Sequence, residues 1–212
     1  MAHDTAHAIH LPTATGLDTR KLAIWTFIGS ECLFFATLIS NYLVYKGHSL
    51  VGPLPHETSQ CMRDGAMTTC GPIFEIPLVT AGTAVLLFSS FFVVLALDGA
   101  RAGNRKQLIR WLTATVFCGL FFVGMQVYEF THFYHEGLGY TTNLFGSSFY
   151  TLTGFHGTHV TIGVIWLATL LVLALRGKLP AEKALNLEIA ALYWHFVDVV
   201  WIVIFPVVYL MR

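Results

Sequence analysis

The sequence predicts an all-α integral membrane protein, a bundle of five transmembrane helices, and three observations lead there. The 212 residues are 55% hydrophobic and only 11% charged, with a mean hydropathy of +0.65, whereas soluble domains carry charge on about a quarter of their residues. Five stretches reach the roughly 20 mostly apolar residues needed to cross about 30 Å of hydrocarbon. The segments between them carry turn chemistry, rich in Gly and Pro. With 12 basic and 12 acidic residues there is no charge excess to suit nucleic acid, which is set aside as a partner.

Taken in order, residues 1–21 form a polar N-terminal tail, and residues 22–212 form one transmembrane domain. The tail lacks the basic, apolar and small-residue succession of a signal peptide and is expected to stay attached. Its His3, His7 and His10 are expected to be solvated and receive no role. The spans are placed at 22–45, 76–97, 111–133, 149–175 and 189–210. Nine Lys or Arg flank them on one side (Arg20, Lys21, Arg101, Arg105, Lys106, Arg110, Arg176, Lys178, Lys183), against Lys46, Arg63 and Arg212 on the other. Basic residues accumulate in cytoplasmic segments, so the N-terminus is expected in the cytoplasm and the C-terminus outside. That orientation puts the 46–75 loop outside, with Cys61 and Cys70. These two either form a disulfide, worth about 2–3 kcal/mol on the chain-entropy model, or remain two thiols. Cys32 and Cys118 fall within spans and read as small packing residues.

At about 1.5 Å of rise per residue, Glu31, His156, His159, His195 and Asp198 lie about 10–15 Å deep in the bilayer. Ionisable groups at that depth cost at least ~2.5–3.5 kcal/mol and face the protein interior. Phe27, Phe34, Phe35 and Leu38 share the helical face of Glu31. Such surroundings favour a neutral carboxyl that either exchanges protons or acts as interhelical glue. His156 and His159 are spaced i, i+3 on span four, and His195 and Asp198 likewise on span five. Three imidazoles and a carboxylate suit zinc or non-haem iron. The interleaved Thr153, Gly157 and Thr161, and Gly154 and Thr158, instead suit close helix packing with interhelical hydrogen bonds. Gln126, Glu129 and His132 form an i, i+3, i+6 ridge on span three, read as hydrogen bonding to a neighbour. No catalytic residue is assigned.

The run Phe149-Tyr-Thr-Leu-Thr-Gly-Phe-His-Gly-Thr-His-Val-Thr-Ile-Gly163 resembles the signature of haem-copper oxidase subunit III. Tyr193-Trp-His-Phe-Val-Asp-Val-Val-Trp201, Gly29-Ser-Glu-Cys-Leu-Phe-Phe35 and Gly119-Leu-Phe-Phe-Val-Gly-Met-Gln-Val-Tyr-Glu129 resemble it too, so the likeness spans the chain from span one onward. The resemblance is to the last five of seven helices, as in short bacterial members. It implies a non-catalytic subunit of the bacterial inner membrane. Haem and copper would then sit in partner subunits and none in this chain, with a bound phospholipid and with subunits I and II as partners. The whole complex would reduce oxygen to water with proton translocation, with a larger respiratory supercomplex as a further partner. By resemblance Glu31 is the family's buried carboxylate and proton-handling candidate. His156, His159, His195 and Asp198, with Gln126 and Glu129, are interhelix packing positions, and the metal reading recedes. Glu31 and Tyr193-Trp-His-Phe point to cytochrome c as donor, whereas Phe74-Glu-Ile-Pro and Leu86-Leu-Phe-Ser-Ser resemble quinol-oxidase relatives. An autonomous proton channel or transporter is the alternative of another class.

Overall fold

A computed structural model describes residues 18–46, 48, 59–63, 66–70, 74–180 and 184–211. Five helices, α1 (Thr19–Tyr45), α2 (Ile76–Arg101), α3 (Arg105–His135), α4 (Leu144–Leu175) and α5 (Ala184–Phe205), are followed by a π-helical turn, Pro206–Leu210. All five are long and apolar enough to cross a membrane. Between α1 and α2 the strands β1 (Ser59–Arg63) and β2 (Ala66–Cys70) pair antiparallel. This hairpin stands where an irregular loop was expected. Asp64-Gly65 between two five-residue runs is the sequence signal for it. The register sets Cys61 opposite Thr68 and Cys70 opposite Ser59. The expected Cys61–Cys70 pairing concerns side chains outside those described, and the tail histidines lie outside the described residues.

Each expected span lies within a helix, but the helices run further, because polar flanks are recruited as caps. Asn143 accepts from the amide of Gly146 at 2.6 Å and opens α4 five residues before the apolar run. Asn104 opens α3 in the same way, accepting from Gln107. Gly103 and Gly177, both with φ near +70°, follow the ends of α2 and α4, in the left-handed conformation that glycine adopts without strain. The guanidinium of Arg105 on α3 then donates to the terminal carbonyls of α4, at 3.0 Å to Ala174 and 2.6 Å to Leu175. That contact adds a second donor to the Ala174 carbonyl, which already accepts from Gly177 N–H, gives the Leu175 carbonyl a partner, and places a cation at the negative end of the helix.

The helix α5 is the hub. It packs against α1, α2 and α4, while α3 joins α2 to α4. Over its most apolar stretch α5 is 56% buried, against 11% for α1, so α1 is the most loosely held element. At the basic end of the bundle Glu188 of α5 gathers Lys21 of α1 at 2.6 Å and Arg101 of α2 at 3.0 Å. One acidic side chain thereby ties three helices.

Candidate functional site

The polar residues deep in the spans do not converge on one point. They form four separate seams, set by which helices face each other. Between α2 and α5 three hydrogen bonds cross. Trp201 Nε1 donates to Thr83 Oγ1 at 2.9 Å, Trp194 Nε1 donates to Ser89 Oγ at 2.9 Å, and His195 Nδ1 lies 2.6 Å from Ser90 Oγ. Trp201 and Trp194 lie seven residues apart on α5 and their partners Thr83 and Ser89 six apart on α2, about two turns on each, and the rungs run in opposite directions as antiparallel neighbours require. Asp198 is buried and faces the Ser90 hydroxyl, yet neither carboxyl oxygen closes a hydrogen bond of good geometry. His195, expected to join span four or a neighbour, thus joins α2. Ser89, Ser90 and the two indoles stand in the sequence only as parts of family-like motifs, and Thr83 not at all, because short hydroxyls in an apolar helix carry no periodic signal.

The α4–α5 joint is made by His156. Its ring is fully buried, lies against Trp201 at 4.7 Å between centroids with 27° between planes, and meets the edge of Phe122 at 6.0 Å. Its Nε2 lies 3.3 Å from the Val197 carbonyl of α5. The α3–α4 joint is made by Gln126, whose Nε2 donates to Thr153 O at 2.8 Å. Gly157 leaves room for it, since a Cβ there would meet Gln126 Oε1 at 2.6 Å. The predicted small-residue stripe therefore seats a polar side chain. Glu129, also buried, receives the hydroxyl of Tyr209 at 2.9 Å. That bond pins the π-helical turn to α3, where Pro206, lacking an N–H, cannot continue the α-helical bonding pattern.

The fourth seam joins α1 to α4. Glu31 Oε2 lies 3.3 Å from His159 Nε2, with both side chains largely but not wholly buried. His159 Nδ1 is 2.8 Å from the carbonyl of Phe155, one turn back on its own helix. A carbonyl only accepts, so Nδ1 carries the hydrogen and Nε2 is the ring atom that meets the carboxyl. Phe35 packs on the imidazole at 5.0 Å between centroids, and Phe34 packs on Phe155 at 5.2 Å. Tyr193 of α5 donates to the His159 carbonyl at 3.1 Å. Sequence reasoning set Glu31 apart from the histidines, but the structure makes His159 its partner. Both lie mid-span, and only the adjacency of α1 and α4 pairs them. Among the described residues no three His, Cys, Asp or Glu side chains gather as a metal site would need. His156, His159 and His195 turn toward α5, α1 and α2 respectively.

The family described as Cytochrome c oxidase subunit III matches residues 4–212. Quinol oxidase subunit 3 of Bacillus subtilis (strain 168) is 39% identical over 190 residues, covering 90% of this chain and 86% of the relative. Cytochrome c oxidase subunit 3 of Bacillus sp. (strain PS3) is 38% identical over 190 residues, with 90% and 84% covered. The probable quinol oxidase subunit 3 of Staphylococcus aureus (strain USA300) is 39% identical over 210 residues, with 99% and 96% covered. Five apolar helices, the match along almost the whole chain and these bacterial relatives describe a multi-pass bacterial membrane protein, and the chain belongs to the cytochrome c oxidase subunit III family.

Proposed function

We propose that this chain is the non-catalytic subunit III of a haem-copper terminal oxidase, supporting the catalytic subunit I and its proton uptake while the complex reduces oxygen to water and translocates protons. The observation that carries this reading is the family match from residue 4 to residue 212. Haem and copper belong to the partner subunits in this reading, and the N-terminus faces the cytoplasm. Glu31 is the proton-handling group, supported by its depth and by its contact with a second titratable side chain, His159.

An open apolar groove supports the bound phospholipid of this reading. A groove of about 620 Å³ runs between α1, α4 and α5, lined by Ala23, Phe27, Trp166 and Leu170, with Arg20 and Asn186 among its lining residues. Arg20 Nη1 donates to Asn186 at 3.2 Å. An acyl chain suits the apolar length, while the Arg20 guanidinium is already paired with Asp18 at 3.1 Å.

The donor is cytochrome c on the resemblance of Glu31 and Tyr193-Trp-His-Phe. Quinol is the second reading, and relatives named as quinol oxidase subunits, at 39% identity, support it at least as well. The deciding experiment is native purification from the source membrane. Haem co-elutes with the chain, and oxygen uptake is then measured with reduced cytochrome c and with a quinol as sole donors. A chain that purifies alone and conducts protons in liposomes would replace the oxidase reading with an autonomous channel.

A further inference from the structure

We infer that Glu31 and His159 form a one-proton site in which His159 is the positioning residue: the imidazole, locked in one tautomer, and the carboxyl hold a single exchangeable proton between them and so fasten α1 to α4. The inference deepens the proposed role of Glu31 and rests on it for any link to oxygen reduction.

The argument is one of hydrogens and lone pairs. The Phe155 carbonyl, 2.8 Å from Nδ1, retains the hydrogen there. Nε2 and Glu31 Oε2, 3.3 Å apart, bond only if one of them carries a hydrogen. With none, the lone pair of Nε2 faces a carboxylate and the contact repels. With one, the contact is a hydrogen bond whichever atom holds the proton, and the pair is neutral overall. A second would leave net positive charge among Phe34, Phe35 and Phe155, which costs more than the bond returns. Tyr193 from α5, near Glu31, and His156 one turn back on α4 are the titratable side chains that face the pair. Among the described residues no Lys or Arg forms an ion pair with Glu31. The proton on the pair therefore has no fixed cation to compete with it.

The position on α1 makes that proton consequential. Thr26, Ser30, Thr37 and Ser40 each bond a carbonyl of α1 itself. The other polar ties of α1 lie toward its ends, at Lys21, Tyr42 and Lys46. Midway along the least buried helix, the Glu31–His159 bridge is the polar link to the rest of the bundle among the described residues. Losing its proton loosens α1 from α4.

The test is solid-state NMR of the full-length protein in membranes, with ¹⁵N-labelled histidine and ¹³C-labelled glutamate, His159→Gln assigning the signals by difference. The unsubstituted protein is expected to show a through-space correlation between Glu31 Cδ and His159 Nε2. Nδ1 should stay protonated at all pH values, and Nε2 should change in one step that disappears in Glu31→Gln. In the complex, Glu31→Gln and His159→Gln are expected to alter the pH profile of turnover alike, and the double variant no further than either alone. A bare Nδ1, a missing correlation, an Nε2 step untouched by Glu31→Gln, or losses that multiply in the double variant would overturn the inference. Failure of haem to co-purify would instead overturn the oxidase reading and leave the NMR result standing, so the two failures are distinct.

Discussion

Replacing Gly163 by alanine tests the packing of the hub helix directly. A Cβ at Gly163 would lie 2.8 Å from Cε3 and 2.9 Å from Cζ3 of Trp194, whereas carbon atoms rest at about 3.5–4.0 Å. The indole would have to retreat, and it has nowhere to go. On its far side a Cβ at Gly119 of α3 would meet Trp194 Cη2 at 2.8 Å, so the backbone there already touches the ring. The indole N–H is also held by Ser89 at 2.9 Å, and the side chain is fully buried. Gly154, nine residues earlier on the same helix, is the control, since the nearest atom to a Cβ there is Phe130 Cε2 at 4.0 Å. Both substitutions gain the same helix-propensity term of about 1 kcal/mol, which cancels between them. What remains is overpacking, so Gly163→Ala should be less stable than Gly154→Ala by about 1–3 kcal/mol. For a chain of this size each kcal/mol moves the thermal midpoint by about 2–4 °C, readable by circular dichroism in detergent. Equal midpoints for the two variants would refute the claim that Trp194 is clamped between α3 and α4.

Three further outcomes are expected. Thr83→Val keeps the shape of the side chain but leaves the Trp201 N–H without its acceptor, and should cost about 1–3 kcal/mol in the same melting assay. Tyr209→Phe removes the bond to Glu129 Oε2, while Oε1 already has none. It should cost about 1–3 kcal/mol and speed hydrogen exchange at 206–210 before it affects α2. Arg105→Met strips the cation and both donors from the end of α4, at about 1–2 kcal/mol. Faster exchange confined to the last turn of α4 would identify the cap as the cause.

The spans were legible because crossing a bilayer demands an apolar run that almost nothing else in the chain resembles. Helix ends were less so. They depend on single caps such as Asn143 and Arg105, and the partner of Arg105 is a pair of carbonyls about seventy residues away. The depth of Glu31, His156, His159, His195 and Asp198 could also be read from position within each run. Their partners could not, because periodicity shows which residues share a face and not which helix that face meets. Hence neither Ser90 as the partner of His195 nor His159 as the partner of Glu31 is legible in the sequence. The hairpin at 59–70 was passed over although Asp64-Gly65 marks it, since the prolines around it drew the reading toward an irregular loop.

Where each polar group finds its partner separates scaffolding from chemistry. Inside hydrocarbon every donor and acceptor needs a partner from the protein itself, so buried polarity alone does not mark function. Trp194 with Ser89, Trp201 with Thr83, and Gln126 with Thr153 are bonds between groups that do not titrate. They can join helices but cannot take up or release a proton in the physiological range. His156 is held against a backbone carbonyl and an indole face, with no second titratable group in hydrogen-bond reach. Tyr209, which holds Glu129, is a phenol whose ordinary role is that of a donor. At Glu31 and His159, by contrast, a carboxyl and an imidazole meet each other directly. They do so beside the helix with the least burial to hold it. A carboxyl–imidazole bond beside the least buried helix is a contact whose strength depends on a proton.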